Sequence, residues 1–363
     1  MYINYFSISI SIGLVISFIL FYKFPLLKKE IIKNNNRKIS VVIPIRNEEK
    51  NIENLLNDLK KQTLNVYEII CVDDDSSDNS ANIIKNYDVK YLFIKKLKAG
   101  WRGKPLACQK GAELASGDIL IFLDADVRLK ESAIESLISA YDRKKTPISV
   151  QPYHNVSNFY EYFSYFFNLI QICATSLSLY NNQSYTGFYG PVFLVERKMF
   201  LDNGGYSNVK ANVLEDLHLA KFYKKMNIDV DLLMGGNIIS FTMYPNGFKQ
   251  LLEGWSKNFS QACASVNLKL FLMVFCWIGY LYSLPIEIVK ALIFNNYYGL
   301  NFLISIYIIT VIKLRKDTKK IGSFPFYISL FYPVFLFGFI IIFLLSIIKT
   351  YVLKNTTWKG RRL

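Results

Sequence analysis

Two clusters of carboxylates stand where short apolar runs end. "EIICVDDDSSDNS" sets Asp73, Asp74, Asp75 and Asp78 directly after residues 69–72, and "DILIFLDADV" sets Asp124 and Asp126 after a second such run. An Asp-x-Asp on an extended turn points two carboxylates the same way. That suits a hard divalent cation, Mg2+ or Mn2+, shared with substrate phosphates. Alone, such a pair is more often a solvated turn. Its position between an apolar run and a helical stretch strengthens the metal reading. Two other chemistries fail on spacing. A calcium loop starting at Asp73 needs Gly at its sixth place and Glu at its twelfth, where this chain has Asp78 and Ile84. The G-x-x-x-x-G-K-[ST] phosphate loop is absent, although Gly103 and Lys104 in "GWRGKPLACQKG" can steady an anion at a helix start. Further on, "NVLEDLHLAKFYKK" carries Glu215 and Asp216 in an amphipathic helix, and "GFKQLLEGWSKN" carries Gln250, Trp255 and Lys257. A surface acid pair and a core Trp are the plain readings of these two segments in isolation. His154 and His218 read as hydrogen-bonded structural residues.

The elements that must position these groups alternate. Residues 39–44, 67–72, 89–94 and 118–123 read as short strands apolar enough for burial on both faces. Segments 47–61, 78–87, 104–115 and 131–141 show helical spacing between them, as with Ile52, Leu55, Leu56 and Leu59. Strand–helix alternation predicts an α/β fold: a Rossmann-like, mostly parallel sheet with helices on both faces. Ligands of such sheets bind beyond the carboxyl ends of the strands, where both acid clusters fall. The aromatic stretch 158–180 is broken by Glu161, Asn168 and Gln171. It predicts a helix packed on the core or the membrane surface, not a span.

The 363 residues are 52% hydrophobic and 16% aromatic, more apolar than an ordinary soluble chain. Residues 1–22 carry no charge, and Lys23, Lys28, Lys29, Lys33, Arg37 and Lys38 follow against Glu30 alone. A cleavable leader has its cations first. The pattern instead predicts an uncleaved transmembrane anchor at 1–22 with a basic cytoplasmic flank at 23–38. Membrane segments are expected again in 269–349, with a basic tail at 350–363. Segment 271–294 spans, 297–312 is short for a span, and 324–348 is long enough. Three crossings would leave the tail outside, whereas the cations at 313–320 and after 348 belong inside. One of 297–312 and 324–348 should then be re-entrant or interfacial. The net charge of +15 thus flanks membrane segments and forms no stripe among aromatics, which argues against nucleic acid as a partner. The five scattered cysteines include no C-x-x-C pair, and the chain has only two histidines, so zinc is poorly supported.

Taken in order, these motifs resemble the family 2 glycosyltransferases of GT-A fold. "VVIPIRNEE" resembles the family's opening strand and loop, "VDDDSSDNS" its V-D-D-G-S-T-D motif, and "GKPLACQKG" its G-K-x-x-A-x-x-x-G helix start. "FLDADV" matches its Asp-x-Asp, and "GGY" with "LEDLHL" its acceptor loop and Glu-Asp motif. The likeness covers residues 39–260. "SVQPYH", "FYEYFSYFFNL", "GPV", "MYPNGFKQLLEGWSKN" and the terminal "WKGR" are similar to a membrane-bound bacterial branch that glycosylates a carotenoid acid.

The resemblance implies a cell-membrane, multi-pass enzyme whose catalytic domain (39–268, with halves 39–146 and 147–268) is cytoplasmic. It implies a nucleotide-sugar donor, UDP-linked, a lipid-soluble acceptor, and inversion at the transferred sugar. Pro44, Arg46, Glu48, Asp73, Asp74, Lys104 and Asp124 would bind the nucleotide sugar. Asp126 would hold the metal and Asp216 would be the base. Glu215, Gln250, Trp255 and Lys257 would line the acceptor side. The same transfer to a polyprenyl phosphate, diacylglycerol, ceramide-like or hopanoid alcohol is the alternative, as is an inactive nucleotide-sugar-binding protein. Two departures stand out. Asp75 replaces the family's usual Gly, and Q-x-x-R-W appears as "QLLEGW" without its Arg.

Overall fold

The computed structural model describes the chain except residues 1, 31, 33–35, 181–186, 213, 264–265, 350–356, 359–360 and 363. Of residues 2–7, 256–263, 357–358 and 361–362 only the backbone is described. Of the basic tail only the backbone of 357–358 and 361–362 is described, and Lys359 and Gly360 of the terminal "WKGR" lie outside the described residues.

Helix α1 (Tyr2–Leu20) leads into β1 (Ile39–Ile45), α2 (Ile52–Lys60), β2 (Glu68–Asp73), α3 (Ser80–Ile84), β3 (Lys90–Phe93), α4 (Gly103–Leu114) and β4 (Ile119–Leu123). There follow β5 (Val127–Leu129), α5 (Ala133–Lys144), β6 (Ile148–Gln151), β7 (Tyr153–His154), a 3₁₀ turn (Phe159–Ser164) and α6 (Tyr165–Ala174). Then come β8 (Val192–Glu196), α7 (Arg197–Asp202), a second 3₁₀ turn (Gly205–Val209), α8 (Glu215–Lys225), β9 (Asp231–Met234) and β10 (Ile239–Phe241). Next are α9 (Phe248–Cys263), α10 (Leu268–Ile293), α11 (Tyr297–Thr318), α12 (Phe326–Leu330) and α13 (Tyr332–Ile347), and then the antiparallel pair β11 (Thr357–Trp358) and β12 (Arg361–Arg362).

Seven strands form the main sheet in the order β3-β2-β1-β4-β8-β6-β9. The first four run parallel, β8 is antiparallel to both its neighbours, and β6 pairs parallel with β9. Side-chain alternation sorts β1 between two cores. Val41 and Ile43 pack with the apolar faces of α2 and α5, while Val42 packs with α4. Gly111 closes the "GKPLACQKG" motif because α4 lies against β1 there. A Cβ on it would sit 2.3 Å from Val42 Cγ1. The third run differs from expectation: β3 is an edge strand with Lys90, Tyr91 and Phe93 exposed. The helix expected over 78–87 shortens to α3.

The α4-side core continues without interruption into α1, α10, α11 and α13. Helices α10 and α11 are long and apolar enough to cross a bilayer. The apparently short segment 297–312 extends to Thr318, because the helix runs on through Lys313, Arg315 and Lys316. Segment 324–348 is not one helix. It breaks at Phe331, and Pro333 stands in the first turn of α13, where its missing N–H costs nothing. The 16-residue α13 then measures roughly 24 Å at 1.5 Å per residue, short of the ~30 Å hydrocarbon core. The stretch at 158–180 is a 3₁₀ turn and a buried helix. Glu161 and Asn168, two of the residues that interrupt it, are buried against His154.

Candidate active site

Beyond the carboxyl ends of β1, β2 and β4 lies a cleft of about 800 Å3. Pro44 enters it from the end of β1, Arg46 and Glu48 from the loop after β1, and Asp74 from the loop after β2. Lys104 comes from the first turn of α4, and Asp124 and Asp126 from the turn after β4. Glu215 and Asp216 open α8, and Gln250 and Trp255 face the cleft from α9. Lys257 lies on α9, but its side chain is outside the described residues.

The acid-rich run after β2 separates into distinct tasks. Asp73 is fully buried and does not line the cleft. Its Oδ1 accepts from the Ser76 N–H (2.9 Å) and its Oδ2 from the Tyr91 hydroxyl (2.8 Å). Asp78 accepts from the N–H groups of Ser80 and Glu49, both at 3.0 Å. Burial works against its charge, but the Ser80 hydroxyl together with these N–H donors outweighs it and holds its carboxyl below the usual range. Only Asp74 of this run faces the cleft. Arg46 fixes its backbone, with Nη1 donating to the carbonyls of Asp74 (2.5 Å) and Asp75 (3.2 Å). Asp75 has φ +57, in the left-handed region where glycine pays no steric cost. That conformation accounts for the family's Gly at this place, and Asp is among the few side chains that tolerate it.

Lys104 joins the two halves of the cleft. Its Nζ lies 2.7 Å from Asp124 Oδ1, 2.9 Å from Asp124 Oδ2 and 3.4 Å from Glu215 Oε1. Burial disfavours the ammonium, but the Asp124 and Glu215 carboxylates prevail and hold it well above its ordinary value. Gly190 lies against this group and was not among the expected site residues. A Cβ there would come within 3.1 Å of Asp216 Oδ2 and 3.3 Å of Lys104 Nζ. The signal for it was "GPV": Asp124 N–H donates to the Pro191 carbonyl (2.9 Å), tying that segment to the Asp-x-Asp turn.

The acceptor-loop motif braces α4. Gly204 and Gly205 have φ +80 and +51, and the Tyr206 N–H donates to Gln109 Oε1 (2.9 Å). Trp255 is a wall of the cleft. It stacks on Phe167 at 4.6 Å and its Nε1 donates to Ser164 Oγ (3.0 Å). Gln250 Oε1 accepts from the Asn246 N–H (2.8 Å), and Lys50 Nζ donates to Asn246 Oδ1 (2.6 Å), linking α9 to the β1 loop. His154 is buried, with Nδ1 2.9 Å from Asn168 Nδ2, and neither histidine lines the cleft.

Among the described residues no group of three or more His, Cys, Asp or Glu could cage a metal alone. The donor set fits a metal shared with a ligand: Asp124 is paired with Lys104, and Asp126 faces the same cleft. Mg2+ and Mn2+ of that kind take one or two carboxylates and complete their shell with phosphate oxygens and water.

A model of the family described as Glycosyl transferase family 2 matches residues 40–203. A 4,4'-diaponeurosporenoate glycosyltransferase of Staphylococcus haemolyticus is 35% identical over 248 residues, 66% of this chain and 66% of that protein. One of Staphylococcus aureus is 28% identical over 342 residues, 93% of this chain and 91% of that protein. Among solved structures, a mannosyltransferase of Pyrobaculum calidifontis in complex with GDP-Man and Mn2+ aligns with a TM-score of 0.55. Its identity is 13%, covering 97% of this chain and all of that one.

Proposed function

The chain belongs to glycosyl transferase family 2, and we propose that it moves a hexose from a nucleotide sugar, UDP-linked, onto a membrane-borne carotenoid acid such as 4,4'-diaponeurosporenoate. The observation that carries the site is the convergence of Asp74, Asp124, Asp126, Glu215 and Asp216 on Lys104's cleft at the strand ends. The acceptor class rests on the two staphylococcal relatives. Membrane attachment rests on α10 and α11, and the basic flanks favour a cytoplasmic catalytic domain with several crossings.

Asp74, set by Arg46, accepts hydrogen bonds from the nucleoside, with Pro44 and Glu48 beside it. Asp124, held by Lys104, orients the sugar or ribose. Asp126 would hold a divalent ion, Mg2+ or Mn2+, which would supply Lewis-acid stabilisation of the charge that the diphosphate gains on leaving. An acceptor oxygen attacks the anomeric carbon in line as the bond to the diphosphate breaks. The bonding pair leaves with the nucleotide and the configuration inverts.

An alcohol acceptor needs Asp216 to take its proton, whereas a carboxylic acid arrives already ionised at neutral pH. With a carotenoid acid, Asp216→Asn is therefore expected to keep at least about a tenth of wild-type turnover. With an alcohol it would lose about 10²–10⁴-fold. Near-complete loss on a purified carboxylate acceptor would count against the acid.

Mass spectrometry of lipid extracts from cells with and without the active protein tests the function itself. A glycosyl ester of a carotenoid acid should vanish with the protein. A missing sugar–phosphate, glycosyl diacylglycerol, ceramide or hopanoid product would point to another lipid acceptor. No missing product and no donor turnover would leave only nucleotide-sugar binding.

A further inference from the structure

The cleft does not end at the acids. Beyond Asp216 its lining turns apolar and reaches the first two turns of α10, a helix able to cross a bilayer. The geometry points to this apolar extension as the slot that holds the acceptor's hydrocarbon chain, between one face of α6 and the start of α10; this rests on the reading above.

Two walls define it. Gln171 and Ala174 stand three apart on α6 and so share one face, and Thr175, the residue capping the helix's C-terminus, lines the cleft beside them. Leu270, Phe271 and Val274 face them from α10. The next turns of α10 are closed: Trp277, Tyr280, Leu281 and Leu284 are buried. Tyr280 lies so near α1 that a Cβ on Gly13 would meet it at 2.2 Å. The slot therefore meets α10 only at its first turns, next to the catalytic domain.

Its inner end adjoins the reacting centre. Leu217 follows Asp216, and a Cβ on Gly187 would lie 3.2 Å from Leu217 Cδ1 and 3.5 Å from Thr175 Cγ2. Gly187 thus leaves a passage between α8 and α6 that a side chain would narrow. Thr175 offers that passage its methyl, since its hydroxyl is bonded to the Tyr189 hydroxyl (2.5 Å) and the Ile172 carbonyl (3.0 Å). At the outer end Phe271 is 46% exposed on the helix that can meet lipid, so the mouth opens toward the bilayer. A chain carrying a terminal carboxylate can place its polar end by Asp216 and keep its apolar length out of water throughout.

The test uses the full-length protein in lipid nanodiscs. The kcat/KM for a long polyene carboxylic acid is divided by that for a short conjugated acid of six to eight carbons. Ala174→Phe and Val274→Trp fill the slot from opposite walls, so one remains informative if the other does not fold. Donor hydrolysis without acceptor reports an intact donor site. Both variants should lower the long-to-short ratio tenfold or more. Ile308→Trp, on the exposed face of α11, should keep the wild-type ratio. An unchanged ratio in the filled variants overturns the slot. So does an equal loss on both acids, the result expected if a bilayer lipid occupied it. A wild type that hydrolyses donor but glycosylates neither acid overturns the acceptor reading and the slot's occupant with it.

Discussion

Asp126→Asn is expected to lower transfer by about 10²–10³-fold, the cost of removing one preorganised charge stabiliser from a reacting centre. The substitution keeps the side chain's size and removes only its charge. Asp126 faces the cleft from the same turn as Asp124. Asp124 is already paired with Lys104, and no described cluster of three ligands exists that could take over. On the proposed reading, a metal shared with the diphosphate would be held by this carboxylate. Chelator should abolish wild-type activity, and added Mn2+ should restore it. In the variant, half-restoration should need far more Mn2+, and the electron paramagnetic resonance signal of bound Mn2+ in the presence of UDP should weaken in step. Wild-type turnover together with an unaltered Mn2+ requirement would remove Asp126 from the metal site.

How far the sequence discloses this arrangement depends on the range of the interactions involved. The strands β1, β2 and β4 were legible because central parallel strands are continuous apolar runs. The acids after two of them were placed by the rule that ligands bind at strand ends. The division of labour between Asp73 and Asp74 was not legible. Neighbouring residues at a strand end face opposite ways, and what claims Asp73 is Tyr91, on the next strand. Asp75 needed its backbone angle before the family's Gly made sense. The polar residues that argued against a span at 158–180 sort by partner. Glu161 and Asn168 meet His154, and Gln171 faces the cleft. The C-terminal apolar helices misled a reading of apolar length alone. Long cationic side chains let α11 continue past its apolar stretch, and Phe331-Tyr332-Pro333 divides α12 from α13. The joining of Asp124 and Glu215 by one ammonium is contact between distant segments, which no local pattern records.

That ammonium carries the second large effect. Lys104→Met should raise the donor KM tenfold or more and lower kcat as well. The donor brings a diphosphate into a cleft that already holds six carboxylates, with Lys104 between two of them. Without the cation, Asp124 and Glu215 lose their common partner and the diphosphate meets a more negative wall. Partial solvent access at Lys104 and Asp124 moderates the penalty, so the loss should grow as ionic strength falls. Lys104→Arg keeps the charge but not the compact ammonium, and should recover part of the donor affinity. A folded-state value raised above the ordinary one keeps the cation's contribution in full below about pH 10, and loses it only as pH climbs through that raised value. The wild type should therefore show no alkaline loss from Lys104 between pH 6 and about pH 9. If Lys104→Met kept its donor KM even at low ionic strength, the ammonium would be packing and not part of the donor site.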